Sequence, residues 1–158
     1  MLLTKRRTIG VERRYVMFCV FEPEFAGPLG PRTIMNPSVH PPQVSSLHIE
    51  FDLEAWQGDE LLEAYPCFLV TENLRRVIER AATGRFEFDT LRETRVAPSR
   101  KLKPFRPLPK LWWIKVTGQA GQDDIGLSAN HCLVVDEHVV FEMKRQCQLN
   151  HCNIYPFV

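Results

Sequence analysis

Apolar residues fall along this chain in short runs with two different periods. Residues 14–21 (RYVMFCVF) are almost continuously apolar, β-branched or aromatic, the pattern of a buried strand, and Glu22-Pro23 ends the run. Residues 47–53 (LHIEFDL) alternate instead, with Leu47, Ile49, Phe51 and Leu53 on one side and His48, Glu50 and Asp52 on the other. That spacing predicts a half-exposed strand with an acidic outer face. Residues 67–70 (CFLV) predict a short buried strand running into Thr71, whose hydroxyl can accept a backbone hydrogen bond as a helix N-cap, with Glu72 favourably placed in the first turn. Leu74, Val77, Ile78 and Ala81 then follow at i, i+3, i+4 and i+7, which predicts a helix to about Ala82 that lays one stripe on a sheet and stops at Gly84. Phe86, Phe88 and Leu91 continue as a strand, and residues 111–116 (LWWIKV) as another.

One of these units recurs. Cys67-Phe-Leu-Val-Thr-Glu72 matches Cys132-Leu-Val-Val-Asp-Glu137 at an offset of 65 residues: a cysteine, three apolar strand residues, a capping residue and a glutamate. Each unit leads into an amphipathic helix, the second with Val139, Val140, Met143 and Cys147 on its apolar side, and then into a short strand-like segment. Two Pro-rich stretches, at about 22–44 and 98–110, predict extended connections without regular structure. The expectation is a single domain over residues 1–158, of α+β class: a mixed, mainly antiparallel sheet with two strand-cap-helix units packed on it.

Composition narrows the class. The 158 residues hold 20 Lys+Arg against 19 Asp+Glu and are 44% hydrophobic, as in an ordinary soluble domain. No run approaches a membrane span, and the basic start lacks the apolar stretch of a secretory signal. The five cysteines are odd in number and widely spread, which fits reduced thiols in a cytoplasm. The near-neutral total hides segregation. Glu50, Asp52, Glu54, Asp59, Glu60, Glu63 and Glu72 follow one another between residues 45 and 72 with no Lys or Arg among them, whereas Arg92, Arg95, Arg100, Lys101, Lys103, Arg106 and Lys110 face only Glu93. Such bands either neutralise each other across neighbouring strands or steer a charged partner.

Residues that could carry chemistry give little of it. His131, Cys132, Cys147, His151 and Cys152 are of zinc-binding type, but no CxxC knuckle is present and Cys132 and Cys147 fall at core positions, so no metal or other cofactor is expected. No GxSxG, HExxH, Walker-A or GxGxxG motif occurs, and no enzyme activity is expected. Asp123 and Asp124, in the glycine-rich stretch 118–126, read first as turn formers and second as a partner contact.

Three blocks bear a family likeness. Phe51-Asp52 with Trp56-Gln-Gly58-Asp59 and Leu61-Leu62, then Pro66-Cys-Phe-Leu-Val-Thr-Glu72 through Gly84, then Trp113-Ile-Lys-Val-Thr-Gly118 with Gly121-Gln-Asp-Asp-Ile-Gly126 and Leu133-Val-Val-Asp-Glu137, together resemble the immunity proteins encoded beside polymorphic or contact-dependent bacterial toxins, in particular the group with a myxobacterial prototype. Ile125 stands where that group usually has an aromatic residue and Asp136 where it usually has Ser; both keep the local role. The resemblance runs from Ser46 to the C-terminus and implies a cytoplasmic, non-enzymatic protein that binds and neutralises one cognate toxin. The acidic residues Glu50, Asp52, Glu54, Asp59, Glu60 and Glu63, with Asp123 and Asp124, are then the expected contacts. The alternative is a nucleic-acid-binding or regulatory module using the basic Pro-rich segment 98–110, against which the sequence pI near 7.7 argues.

Overall fold

The computed structural model describes residues 3–7, 13–98 and 107–158. In chain order the elements are β1 (Leu3–Arg7), β2 (Arg13–Glu22), β3 (Glu24–Phe25), β4 (Ile34–Asn36), β5 (Gln43–Ser46), β6 (His48–Phe51), β7 (Leu61–Ala64), β8 (Cys67–Thr71), α1 (Glu72–Ala81), β9 (Phe86–Thr90), β10 (Glu93–Val96), β11 (Leu111–Val116), β12 (Ile125–Leu127), β13 (Leu133–Asp136), α2 (Glu137–Gln146) and β14 (Asn153–Pro156). The α+β class is as the sequence predicts. All pairings between these strands are antiparallel except β3 with β7 and β6 with β10.

The two strand-cap-helix units do not share a sheet. β8 lies inside the order β3-β7-β8-β11-β9, whereas β13 lies in the order β1-β2-β13-β12. β2 binds β1 through its first half, and in its second half β13 and β14 flank it on both edges. Phe21 and Cys19 pack on one cluster and Phe18 and Val20 on another, so both faces are covered and residues 18–21 read as a continuously apolar run. β2 ends at Glu22, and after Pro23, which has no N–H to extend the ladder, the chain enters the other sheet as β3.

The principal core lies between the sheets and contains both helices. Phe68 and Val70 from β8, Leu133 and Val135 from β13, Leu74, Val77 and Ile78 from α1, and Val139, Val140 and Met143 from α2 form one cluster. The helices start alike. The Thr71 hydroxyl accepts from the Leu74 amide at 3.2 Å, and the Asp136 carboxylate accepts from the His138 amide at 3.1 Å. Successive residues of β8 point to opposite faces, so Cys67 and Leu69 fill a second cluster with Leu47, Ile49, Phe51, Leu62 and Trp113. The alternation predicted for residues 47–53 is therefore present, its apolar side buried in this second cluster.

The first Pro-rich stretch departs from the expectation of an irregular connection. It contains β3, β4 and β5, and its residues 26–30 run along one edge of β6, with Asp52 N–H donating to Ala26 O at 2.9 Å and Glu50 N–H to Pro28 O at 3.0 Å. Gly27 makes this approach possible: it sits at φ 139°, and a Cβ there would lie 2.0 Å from the Glu50 carbonyl oxygen. β6 is thus flanked by residues 26–30 on one edge and β10 on the other, forming a layer over the second cluster. Most of the second Pro-rich stretch, residues 99–106, lies outside the described residues.

Candidate interaction surface

The acidic residues separate by what their carboxylates already do. Glu50 and Asp52 stand on the outer face of β6, half-buried, and Glu54 follows them exposed in the next turn. Asp52 Oδ1 accepts from the Ala55 amide at 3.0 Å and so closes that turn. β10 changes the character of the face: its parallel register sets Arg95 beside Glu50 and Glu93 beside His48, with 3.3 Å from His48 Nδ1 to Glu93 Oε2 and Arg32 also within 3.9 Å of Glu93. The outer face of β6 and β10 is mixed in charge, not a purely acidic band.

Asp59, Glu60, Asp123 and Asp124 hold the fold together. Asp59 is fully buried after Gly58; its Oδ2 accepts from the His151 amide at 2.9 Å, which pins the turn following α2, and its Oδ1 has no hydrogen-bond partner. Burial pushes the Asp59 carboxyl above its usual range, partly countered by the His151 amide. Beside it the amides of Gln57 and Asp59 both donate to the carboxylate of Glu24, and Trp56 Nε1 donates to Asp59 O at 3.0 Å. Glu60 accepts from Thr71 Oγ1, Asn73 Nδ2 and the Gln148 amide, joining the N-terminus of α1 to the C-terminus of α2. Asp123 Oδ2 accepts from the Gln119 amide at 2.7 Å, the turn-forming role read from the sequence. Asp124, 4% exposed, accepts from Thr83 N at 3.0 Å and Thr83 Oγ1 at 3.3 Å. Glu63 is half-buried on β7, and burial pushes its carboxyl up. Of the eight predicted contacts, Glu54 is exposed, and Glu50, Asp52 and Glu63 are half-buried on or just beyond β6 and β7.

The Cys/His constellation does not converge. The grouping of metal-ligating side chains found among the described residues is instead Asp124, Asp136 and His138. There His138 Nδ1 lies 2.7 Å from Asp136 Oδ1, and Nε2 lies 3.1 Å from Ala81 O and 3.8 Å from Asp124 Oδ2. Its carboxylates serve the N-cap of α2 and the turn after α1, so the trio ties the end of one helix to the start of the other. Burial pushes the Cys67, Cys147 and Cys152 thiols up to about 12, the direction expected of cysteines packed in a core.

A cleft of about 250 Å³ opens where the two sheets meet, lined by Cys67, Phe68, Trp113, Lys115 and His131 among others. His131 is the non-glycine residue with positive φ, 60°, among the described residues. Its Nε2 lies 2.6 Å from Pro66 O, and its ring stacks on Phe68 and meets Tyr65 edge-on. Lys115 sits over the Trp113 ring and pairs with Asp89 at 2.8 Å. Sequence reasoning missed Glu93 and Arg95 as neighbours of the β6 face, because their placement depends on a parallel pairing across 45 positions that no local pattern marks. No family model matches the chain, and neither a curated protein nor a solved structure matches it.

Proposed function

We propose that the chain is an immunity protein that binds and neutralises a cognate bacterial toxin in the cytoplasm, without catalysing a reaction of its own. The observation that carries this reading is the set of surface carboxylates Glu50, Asp52, Glu54 and Glu63, held on strands and a closed turn instead of on mobile segments. A preformed surface of this kind favours protein recognition, because little side-chain and loop freedom is lost on binding. No helix among the described residues is long and apolar enough to cross a membrane.

The test is affinity capture from the host lysate at moderate salt, followed by measurement of the association rate. The expected result is one stoichiometric protein that is lethal when expressed without this chain, and whose association slows roughly 10-fold when Glu50 and Glu54 are both changed to Lys. Salt-sensitive recovery of nucleic acid in place of a protein would overturn the reading in favour of a nucleic-acid-binding module.

A further inference from the structure

At Pro23 the chain passes from one sheet to the other, and an unusual group of side chains gathers at that seam. Phe25 on β3 is 64% exposed, Tyr65 beyond β7 is 47% exposed, and Tyr155 on β14 is 41% exposed. Each neighbours one of two carboxylates, Glu63 or Glu22. Phe25 is the register partner of Glu63 in the parallel pair of β3 and β7, so the two share a face. Tyr65 stands two positions beyond Glu63, with its ring 5.8 Å from that of His131. Tyr155 donates its hydroxyl to Glu22 Oε1 at 2.8 Å, and Asn153 Nδ2 reaches Glu22 Oε2 at 3.4 Å.

Glu63 and Glu22 are close enough to act on each other. After burial, which is the main cause, the Glu22 charge also raises the Glu63 carboxyl, against a lowering contribution from His131. Among the described residues neither carboxylate pairs with a Lys or Arg. The seam therefore combines exposed rings with two acids that have no Lys or Arg partner among the described residues. A guanidinium satisfies both at once: it stacks on aromatic faces and forms bidentate bonds to a carboxylate.

We propose that this seam is the centre of a protein–protein interface and takes an arginine side chain of the partner, set among Phe25, Tyr65 and Tyr155 with Glu22 and Glu63 as its counter-ions. The inference rests on the reading of the chain as a protein-binding module and deepens it by naming the anchor. It places the energetic centre at the seam, and leaves the β6 face to steer the encounter.

The experiment titrates the ¹⁵N-labelled full chain with a blocked Gly-Ser-Arg-Ser-Gly peptide and with its neutral citrulline counterpart. Expected are shifts confined to residues around Glu22, Phe25, Glu63, Tyr65 and Tyr155, with the citrulline peptide at least about 5-fold weaker. E22Q/E63Q and F25A/Y65A should each weaken the arginine peptide by a similar factor, with the thermal midpoint of each variant measured alongside to confirm that it is folded at the temperature of the titration. Shifts centred on Glu50 and Glu54, or equal affinity in E22Q/E63Q, would overturn the proposal. With a captured toxin in hand, F25A/Y65A should raise its Kd about 10-fold or more. A toxin held equally well by F25A/Y65A removes the seam and leaves the immunity reading intact; an arginine-specific seam with no toxin captured upholds the seam and removes that reading.

Discussion

The two strand-cap-helix units begin with six residues of matching character, three of them identical, and end up doing different work. In the first, Glu72 at the start of α1 accepts from Arg75 at 2.8 Å and from Trp112 Nε1, and Arg76 and Lys110 lie within 4.0 Å. Arg75 and Lys110 also stand over the Trp112 ring, at 4.5 and 4.9 Å from its centroid. In the second unit Glu137 is exposed, and the capping Asp136 is the busy residue, accepting from both the backbone amide and the Nδ1 of His138. The same local grammar thus yields a helix tied to its sheet by its first residue in one case, and by its cap in the other. What differs is the neighbouring strand. β11 brings Trp112 alongside Glu72, whereas β2 and β12 bring backbone and apolar side chains alongside α2.

The largest effects should come from what the units share. Leu74→Ala in α1 and Met143→Ala in α2 each remove a fully buried side chain from one cluster, at an expected cost of about 3 kcal/mol. Chemical denaturation followed by two probes should show one transition for each variant, because both helices lie in that cluster. Two separated transitions would mean that the units are independent, and the comparison would then be between domains. Next in size are the caps. Thr71→Ala should cost about 1 kcal/mol and Asp136→Ala about 2 kcal/mol: each cap makes a second side-chain hydrogen bond, Thr71 to Glu60 and Asp136 with His138, but those of Asp136 are made by a buried carboxylate. Equal losses at the two caps would remove the distinction drawn between the units.

Much of this was legible in the sequence, for a physical reason. β2, β6, β8, α1, β11 and β13 are each marked by a local pattern of burial, either a continuous apolar run or a clean alternation. β10 (ETRV) and β12 (IGL) carry no such mark; they are strands because β6 and β13 offer them an edge. β7 (LLEA) sits in an acid-rich stretch whose charge drew attention away from Leu61 and Leu62, both fully buried. The same blindness affects the candidate surface. A carboxylate that caps a buried amide, as Asp59 does for His151, has the same sequence appearance as one that faces a partner. Only the neighbouring Trp56 and Gly58 hinted that this turn was packed. Phe25 and Tyr65 fit neither helix nor strand periodicity, so no local pattern marks them as exposed rings.

The finest test of the comparison is the pair of glutamates at equivalent positions. The hydrogen bond from Arg75, then that from Trp112, hold the Glu72 carboxyl down to about 2, against the ordinary value of 4.5 that applies when the chain is unfolded. A depressed folded-state pKa contributes stability that is present above the unfolded value and is lost as pH falls through the folded one. Glu72 should therefore make the protein progressively less stable between about pH 4.5 and pH 2, and Glu72→Gln should flatten that part of the profile while lowering the midpoint at neutral pH. Glu137→Gln, by contrast, should change the midpoint at neutral pH much less than Glu72→Gln does, since Glu137 is exposed and makes no ion pair with a Lys or Arg among the described residues. Thermal midpoints of the three proteins across pH 2 to 7 decide the matter. If the two variants behave alike, the ties of Glu72 are surface pairs of little consequence, and the units differ only in their caps.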